Sequence, residues 1–328
     1  MKRREFITLI GGAAAWPLAA RAQQGIGKRR LGVLWQGQKN QVLGAWEAFT
    51  DALRLLGWSE GNDLQIDQRW AANDAAQVKV LATELVSLKP DVILAINTLV
   101  VAALQHETKS IPVVFVSVTD PVASGLVASL SHPGGNITGF SNFEPTLAGK
   151  HIEILKEIMP GVTAVSDMFN PDMNPAHLSS VYPILEAAAR HDGVELVPAP
   201  VRSDADIERV ISNLQDRPNI GLLVAGEPFF NARIHLITSL LTRYRVVSVS
   251  PFRLFVEQGC LISYGNDLVE QYGKAATYVD RILKGENPAD LPVQAPTKFE
   301  MVINLKTAKQ MGLTIPPTLL ARADEVIE

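Results

Sequence analysis

The fold class follows from one stretch of the chain, Val113-Val-Phe-Val-Ser-Val-Thr-Asp-Pro-Val-Ala-Ser-Gly-Leu-Val127. Its first half is a continuous apolar run rich in β-branched residues, which predicts a strand buried on both faces. The run then turns polar, with Asp120 where a following helix would be capped and a proline in that helix's first turn, so a helix is predicted over 121–130. A buried strand that ends in Ser117, Thr119 and Asp120 carries polar groups to the carboxyl edge of a parallel sheet, where open α/β folds bind ligands. Asp120 is therefore either a simple helix cap or a ligand contact.

The same alternation of strands and helices continues on both sides of this stretch. Strand-like segments around 31–35, 64–70 and 91–97 alternate with helix-like segments upstream, and the rhythm starts again after residues 142–145. Strands separated by helices of about 10–15 residues indicate βαβ units and a parallel sheet. The sequence therefore predicts an α/β protein with two successive doubly wound parallel-sheet lobes. The less regular last third, from about residue 261, can cross back between them.

The first 22 residues have the features of an export signal. Lys2-Arg3-Arg4 is a positive start, residues 6–18 are apolar and small, and Ala20-Arg21-Ala22 is a small-x-small cleavage site. The arginine pair favours twin-arginine export, and the same features also fit the general secretory route. We expect cleavage after Ala22 and a periplasmic mature protein.

Charge and cysteine content limit the partners of the mature chain. Without the signal it holds 26 basic and 33 acidic residues, a net charge of −7, which argues against nucleic acid or an anionic membrane surface. A single cysteine, Cys260, excludes an internal disulfide. No later segment is apolar and long enough to cross a membrane. We expect a monomer without membrane insertion.

A candidate site appears when the strand ends are placed on one edge. The carboxyl ends of strands in two facing lobes would line a shared cleft. The candidate ligand-binding residues are Trp35, Gln36, Asn97, Thr98, Ser117, Thr119, Asp120, Asn170, Glu227, Phe252 and Asp267. Acids at 120, 227 and 267 suit a cation such as an amine. Thr98, at a helix start, suits an anionic group, and the two aromatic residues suit a planar portion of a ligand.

Each of these residues also has a purely structural interpretation. Thr98 and Asp267 fit as helix caps, and Glu227 fits as an ordinary acid in a first helical turn. Trp35 fits as a core residue at a strand end, and Trp46, Trp58 and Trp70 are interpreted as packing. The convergence of several candidates on one edge favours the cleft.

The sequence resembles the ABC-transporter substrate-binding protein family that includes tryptophan/tyrosine-type binding proteins. The similar stretches are Arg30-Leu-Gly-Val-Leu34, Leu55-Leu-Gly-Trp58, Lys89-Pro-Asp-Val-Ile93, Ile111-Pro-Val-Val-Phe115, Thr119-Asp-Pro121 with Gly125-Leu-Val127, Gly135-Asn-Ile-Thr-Gly139, Tyr264-Gly265, 289–292 and 298–312. The resemblance covers residues 30–328 and implies a type I periplasmic-binding-protein fold with a three-crossing hinge that closes on the ligand. The implied lobes are 29–142 with 263–292 and 143–262 with 293–328.

The resemblance also implies which positions contact the ligand. Those that match pocket residues of the family's aromatic-amino-acid binders are Thr98, Thr119, Asp120, Asn170, Glu227 and Asp267. Two features depart from the family pattern: position 227 resembles Asp in such relatives and is Glu here, and the strand end 224–226 differs in composition. An extra methylene moves a carboxylate by more than a hydrogen bond tolerates, so the ligand itself stays open.

The leading hypothesis is an exported receptor that captures an amino acid or derivative and presents it to an ABC permease and its ATPase. A receptor that presents its ligand to a membrane sensor kinase would have the same fold and stays open as an alternative. An enzyme is the weaker alternative. The sequence holds no nucleophile elbow, phosphate-binding glycine loop or zinc-binding His-Glu-x-x-His, its six histidines are scattered, and no cofactor or metal is expected.

Overall fold

Two β-sheets organise the chain. The computed structural model describes residues 28–39, 43–142, 144–175, 177–217 and 219–328. The predicted signal segment, 1–22, and its cleavage site lie outside these residues. The fold class is confirmed, because the chain forms two α/β lobes around a five-stranded and a seven-stranded sheet.

The first lobe is built from alternating strands and helices whose strands are all parallel. Its sheet has the order β2-β1-β3-β4-β5. The elements are β1 Arg29–Trp35, α1 Leu43–Leu55, β2 Leu64–Trp70, α2 Ala75–Ser87, β3 Val92–Ile96, α3 Thr98–Glu107, β4 Val113–Val118 and β5 Ile137–Ser141. Every residue of β3, β4 and β5 is buried, as expected for strands covered on both faces.

The second lobe continues the pattern and adds three strands beyond it. The elements are α4 Thr146–Ile158, β6 Ala164–Phe169, a π-helical turn His177–Val181, α5 Tyr182–His191, β7 Glu195–Pro200, α6 Asp204–Ser212, β8 Ile220–Val224, α7 Pro228–Asn231, α8 Ile234–Tyr244, β9 Ser248–Ser250, α9 Arg253–Glu257, β10 Ile262–Asn266, α10 Leu268–Leu283, a 3₁₀ turn Pro288–Asp290, β11 Phe299–Asn304, α11 Leu305–Met311, α12 Pro317–Leu320 and β12 Glu325–Ile327. Its sheet has the order β12-β11-β10-β9-β8-β6-β7, with one antiparallel pair, β10 and β11.

Helix α10 belongs to the second half of the sequence but packs on the first lobe. It shares a core cluster with β1, α1 and β3, and its buried side chains include Tyr272 and Val279. The indole Nε1 of Trp58 donates a buried hydrogen bond of 2.8 Å to Asp280 on this helix. The chain therefore crosses between the lobes after β5, after β10 and before β11.

The sheet pairing bears on where the lobes divide. Residues 262–266 pair with β9 and β11 in the seven-stranded sheet. The backbone of Gln294 in turn pairs with β5, through bonds of 2.9 Å to Gly139 and from Ser141. We propose that the inserted segment of the first lobe runs from Asp267 to about 295, a few residues later than the sequence pattern indicates at both ends.

The helix predicted over 121–130 is wrong. This segment forms turns, in which the N–H of Leu126 donates to the carbonyl of Pro121 and Gly125 adopts a φ of +67°. The buried Leu126 and Val127 anchor the segment in the first-lobe core, so the chain has to descend to the sheet instead of continuing as a helix. Within the described residues, no helix is long and apolar enough to cross a membrane.

Candidate functional site

The backbone is strained at the carboxyl edge of the first sheet. Non-glycine residues with positive φ occur after β2 at Ala72 and Asn73, after β3 at Asn97, and at or after the end of β4 at Ser117 and Asp120. Each such residue costs about 1–3 kcal/mol and persists only where the surroundings impose it. Strain of this kind concentrates at ligand sites, so these residues indicate a ligand site at the carboxyl edge of the first sheet.

An interlobe cavity of about 40 Å³ lies where this edge meets the second lobe. Its first-lobe wall includes Trp35, Trp70, Asn97 and Ser117, and its second-lobe wall includes Asn231 and Phe252. Leu268 and Tyr272 of α10 complete the wall. The lobes touch beside it, because Gln36 Nε2 lies 3.5 Å from Met173 Sδ on the other lobe.

A larger cavity, which we call the second-lobe pocket, has about 140 Å³ and shares Gly226 and Phe252 with the first. It extends between the second sheet and helices α4 and α5. Its mouth includes Thr119 and Asn142, which lie at the first crossing. Its interior residues are Ala148, His151, Asp167, His177, Val181, Ile184, Leu185, Leu223 and Val249.

Several buried polar atoms around the two cavities have no hydrogen-bond partner within the described part of the chain. Three are acceptors of the second lobe, namely Asn174 Oδ1, Glu227 Oε1 and Asn231 Oδ1. Two others are donors, Asn266 Nδ2 at the second crossing and Trp35 Nε1 in the first lobe. Buried polar groups are nearly always paired in folded proteins, so such a group of unpaired atoms around a cavity indicates a bound polar molecule.

Glu227 has the most perturbed chemistry of the predicted residues. Its side chain is 5% exposed, and its Oε2 accepts a hydrogen bond of 2.9 Å from the backbone N–H of Asn170. Burial raises the pKa of the Glu227 carboxyl to about 7, against weaker opposing effects of the Asn170 N–H and of His177. The residue precedes α7 but makes no side-chain cap there. The alternative, that Glu227 is an ordinary acid in the first turn of α7, is therefore not supported by a side-chain hydrogen bond to that helix.

A second buried pair, missed in the sequence, lies on the interior of the second-lobe pocket. His177 Nε2 is 2.7 Å from Asp167 Oδ2, and the two side chains are 3% and 2% exposed. The imidazole stacks on Phe169 with ring centroids 4.3 Å apart. His177 begins the π-helical turn, a local structure common at functional sites. The signal in the sequence was an acid, Asp167, inside a strand whose other residues are apolar except for Ser166.

The predicted residues of β1, β3 and β4 lie at the interlobe cavity or its border. Trp35, Asn97 and Ser117 line it, and Asn97 makes no side-chain cap bond to α3. Trp35 is also a core residue, since its ring stacks on that of Trp70, with ring centroids 4.5 Å apart and an angle of 2° between the ring planes. Gln36 is buried and makes the interlobe contact to Met173.

Three predicted residues after β3 and β4 are occupied by contacts within the first lobe or the crossing. Thr98 Oγ1 accepts a bond of 3.1 Å from the backbone N–H of Thr119, whose own hydroxyl donates to Asn142 Oδ1 at 3.3 Å. Thr119 lines the mouth of the second-lobe pocket. Asp120 Oδ1 accepts from the N–H of Ala123, which caps a turn, and Asp120 is not in the wall of either cavity.

The remaining predicted residues divide between the cleft and the crossings. Phe252 lies in the walls of both cavities, and Asn170 is buried behind them, where its Oδ1 fixes the turn that carries Met173. Asp267 caps α10 through the N–H of Glu270 and pairs with Lys298 at 2.7 Å. Partial burial acts to raise the pKa of Asp267, but Lys298 and the cap bond outweigh it and lower that pKa. Asp267 is thus placed between two crossings.

Metal-binding clusters and the single cysteine bear on the alternative of an enzyme. No cluster of three or more His, Cys, Asp or Glu side chains that could hold a metal ion occurs among the residues that the structure describes. Burial raises the pKa of the Cys260 thiol to about 12, which leaves it without thiolate character.

Comparisons with known proteins agree with this geometry. A curated relative, the tyrosine-binding protein of Clostridioides difficile strain R20291, is 27% identical over 271 residues, which cover 82% of this chain and 76% of the relative. Among solved structures, an ABC domain from Streptococcus pneumoniae in complex with L-Trp has a TM-score of 0.84 at 24% identity, with 92% of this chain and 100% of that chain covered. A ligand-free, open substrate-binding protein with adhesive properties from Clostridium difficile has a TM-score of 0.68 at 25% identity, with 91% and 99% covered.

The family assignment rests on nearly the whole described chain. The family model for "ABC transporter substrate binding protein" matches residues 38–327, which include every strand except β1, all three crossings and the whole wall of the second-lobe pocket. The chain belongs to the ABC transporter substrate-binding protein family.

Proposed function

We propose that this chain is the exported substrate-binding component of an ABC importer and that its ligand is an amino acid or a close derivative. The ligand would bind in the cleft between the lobes, with its ammonium group on the second lobe and its carboxylate on the first. Two similar proteins, a tyrosine-binding protein and a domain in complex with L-Trp, support an amino acid as the ligand.

The observation that carries this proposal is the set of unpartnered acceptors around Glu227. Glu227 Oε1, Asn174 Oδ1 and Asn231 Oδ1 are all buried, and none has a hydrogen-bond partner among the residues that the structure describes. A primary ammonium offers three N–H donors and a positive charge. Such a group would satisfy the three acceptors and hold Glu227 in its ionised form. A sugar or polyol offers several hydroxyl donors but no positive charge, so it would not hold Glu227 in its ionised form.

The opposite wall supports a carboxylate. Helix α3 begins at the edge of the interlobe cavity, and its N-cap residue, Asn97, leaves the first-turn N–H groups without a side-chain cap. The N-terminus of a helix attracts anions through these N–H groups and its dipole. Because the Ser117 hydroxyl donates to Gln271 Oε1 at 3.4 Å and Thr98 is not in the cavity wall, we assign the carboxylate to the α3 backbone together with the Asn97 side chain.

A ligand held in this way would bridge both lobes and would therefore bind the closed arrangement better than an open one. That difference in affinity is what shifts the population towards closure. The contact of Gln36 with Met173 across the cleft supports a closed arrangement for this chain. The closed form would then be presented to a permease, after export directed by residues 1–22.

Differential scanning fluorimetry tests the proposal. The mature chain should first be unfolded and refolded to remove any bound ligand, and then screened against L-amino acids, polyols and monosaccharides. At least one amino acid should stabilise the protein, by about 2.7 kcal/mol at a concentration of 100 times its Kd.

The control is the N-acetyl form of the best amino acid, which keeps the carboxylate and side chain but lacks the ammonium group. It should give no shift, because it cannot supply the donors and charge that Glu227 requires. Stabilisation by polyols or sugars alone, or an N-acetyl form as effective as the parent amino acid, would overturn the proposal.

A further inference from the structure

We infer that the ligand is a dipeptide, bound with its amino-terminal half at the second-lobe pocket and its carboxylate half in the interlobe cavity. This inference rests on the proposed function, because it keeps the ammonium group at Glu227 and the carboxylate at the start of α3. It adds a peptide group between them, which the unpaired polar atoms of the two cavities call for.

Each cavity has both an unpaired acceptor and an unpaired donor among the residues of its wall. For the second-lobe pocket, the acceptors are Glu227 Oε1 and Asn174 Oδ1, and the donor is Asn266 Nδ2. For the interlobe cavity, the acceptor is Asn231 Oδ1 and the donor is Trp35 Nε1. These atoms are buried and have no hydrogen-bond partner among the described residues. A ligand that satisfies them has to bring a donor and an acceptor to each cavity.

A free amino acid meets this requirement only in part. Its ammonium group only donates hydrogen bonds, and its carboxylate only accepts them. With the ammonium group at Glu227 and the carboxylate at α3, the second-lobe pocket receives no acceptor and the interlobe cavity no donor. The amino acid can serve both cavities only where they meet, at Gly226 and Phe252. A ligand with one more donor and one more acceptor should therefore bind more tightly.

A peptide group supplies the missing donor and acceptor in the right order. In a dipeptide, the carbonyl is attached to the carbon that bears the ammonium group, and the N–H is attached to the carbon that bears the carboxylate. With the ammonium group at Glu227, the carbonyl oxygen accepts from Asn266 Nδ2 and the N–H donates to Asn231 Oδ1. The carboxylate then accepts from Trp35 Nε1 and from the first N–H groups of α3.

The dimensions of the two cavities agree with this assignment. An extended dipeptide spans about 7 Å, twice the length of a free amino acid, so it can occupy two adjoining cavities. The second-lobe pocket, of about 140 Å³, takes the first side chain, which is apolar because Val181, Ile184 and Leu185 lie in the wall. The interlobe cavity of about 40 Å³ suits a small second residue such as glycine.

Isothermal titration calorimetry of the ligand-free protein tests the inference with two series of ligands, built on L-leucine and L-phenylalanine. Each series holds the free amino acid, its dipeptide with glycine, and the ketomethylene analogue of that dipeptide, in which CH₂ replaces the peptide N–H. In at least one series the dipeptide should bind about tenfold more tightly than the free amino acid. The ketomethylene analogue should bind about tenfold more weakly than the dipeptide, because it leaves Asn231 Oδ1 buried and unpaired.

Asn231→Leu tests the assigned contact directly. In this variant the dipeptide and its ketomethylene analogue should bind within about twofold of each other, because the acceptor for the peptide N–H is gone. The matched control is Asn174→Leu, the same change at an acceptor beside Glu227. It should weaken both ligands by similar factors and keep the tenfold difference between them. If Asn231→Leu does not fold, the three affinities of the wild type decide.

Two kinds of result overturn the inference while the proposed function stands. One is a free amino acid that binds more tightly than both dipeptides. The other is a ketomethylene analogue that binds wild-type protein as tightly as its dipeptide, or a tenfold difference that survives in Asn231→Leu. Failure of the proposed function is a different result, in which neither amino acids nor dipeptides bind.

Discussion

The carboxyl group of Glu227 is buried and accepts fewer hydrogen bonds than its two oxygens allow. Oε2 accepts a hydrogen bond from the Asn170 N–H, and Oε1 has no hydrogen-bond partner among the described residues. Burial penalises the ionised form and raises the pKa from its ordinary value of 4.5 to about 7. The folded protein without ligand therefore binds a proton at Glu227 more readily than the unfolded chain does.

This shift predicts how stability depends on pH. The pKa of Glu227 is higher in the folded protein than in the unfolded chain, so protonation of Glu227 stabilises the folded protein. This stabilisation is complete below about pH 4.5 and is lost as pH rises through about 7. Its size is roughly 3 kcal/mol. Glu227→Gln, which cannot ionise, should lose less stability than the wild type between pH 5 and pH 8, as measured by the urea midpoint of ligand-free protein. Parallel pH profiles for the two proteins would contradict the prediction.

The number of protons released on ligand binding tests the pKa of Glu227 independently. An ammonium group favours the ionised carboxylate, so at pH 6 binding should release about one proton per ligand. Calorimetry in buffers with different ionisation enthalpies measures this number. Glu227→Gln should release none through this group and should bind more weakly.

Residues at strand ends were predictable, whereas residues on a strand's buried face were not. Asn97, Ser117 and Glu227 follow apolar runs, and the carboxyl-edge rule brings them to the cavities. Asp120 follows the same rule but is turned to cap its own loop. Asp167 and His177 lie on different elements and meet only through the packing of the π-helical turn against β6, so no local pattern connects them.

At the scale of elements, the turn after β8 and the loop after β9 lie so close together that only glycine fits at position 226. A Cβ atom at Gly226 would lie 2.6 Å from Phe252 Cε2 and 2.8 Å from Pro251 Cγ. The absence of a side chain there lets the loop after β9 pack against the end of β8. That contact holds the Phe252 ring between the two cavities.

Gly226→Ala should therefore displace the Phe252 ring. We expect a cost of about 1–3 kcal/mol in stability from overpacking and a weaker affinity for the ligand. Urea unfolding and calorimetric titration measure the two effects.

The matched control is Gly273→Ala in α10, where an added Cβ meets nothing within 4 Å. It should stabilise the protein by about 0.5–1 kcal/mol and leave the affinity unchanged. Equal effects of the two changes on affinity would show that Gly226 does not position the cleft.

Element types were largely predictable because hydrophobic period and breakers are local. Strand β2, at 64–70, has the predicted bounds. The segment 121–130 shows where such signals fail. Its Asp-Pro start is a genuine capping signal, but the pull of Leu126 and Val127 into the core overrides it.

At the scale of the whole molecule, three crossings join the lobes. The crossings are tied together by Gln271, whose Nε2 donates 2.8 Å to the Ser141 carbonyl, and by the ion pair of Asp267 with Lys298. Across the cleft itself the hydrogen bond described is the weak contact of Gln36 with the Met173 sulfur. Hydrogen bonds and ion pairs near the crossings are retained when the lobes rotate, whereas the weak contact of Gln36 with Met173 across the cleft is easily lost.

Small-angle X-ray scattering should therefore distinguish ligand-free from ligand-bound protein. Without ligand, the weak cleft contact should let the lobes separate, and the radius of gyration should exceed that of the structure. Saturating amino acid should reduce it to the value calculated from the structure. Identical scattering with and without a ligand that binds in calorimetry would contradict hinge closure.

The sequence by itself determined the α/β class, the two-lobe order and the strand ends that meet at a cleft, because periodicity, capping and the edge rule act over a few neighbouring residues. Only the tertiary structure decided which strand-end residues face the cavities and which serve the loops and crossings. It also brought Asp167 to His177 and left Glu227 half-satisfied, since burial and pairing depend on residues far apart in the chain. The stretch 113–127 illustrates both cases, because its strand follows from its own residues and its turn from what they pack against.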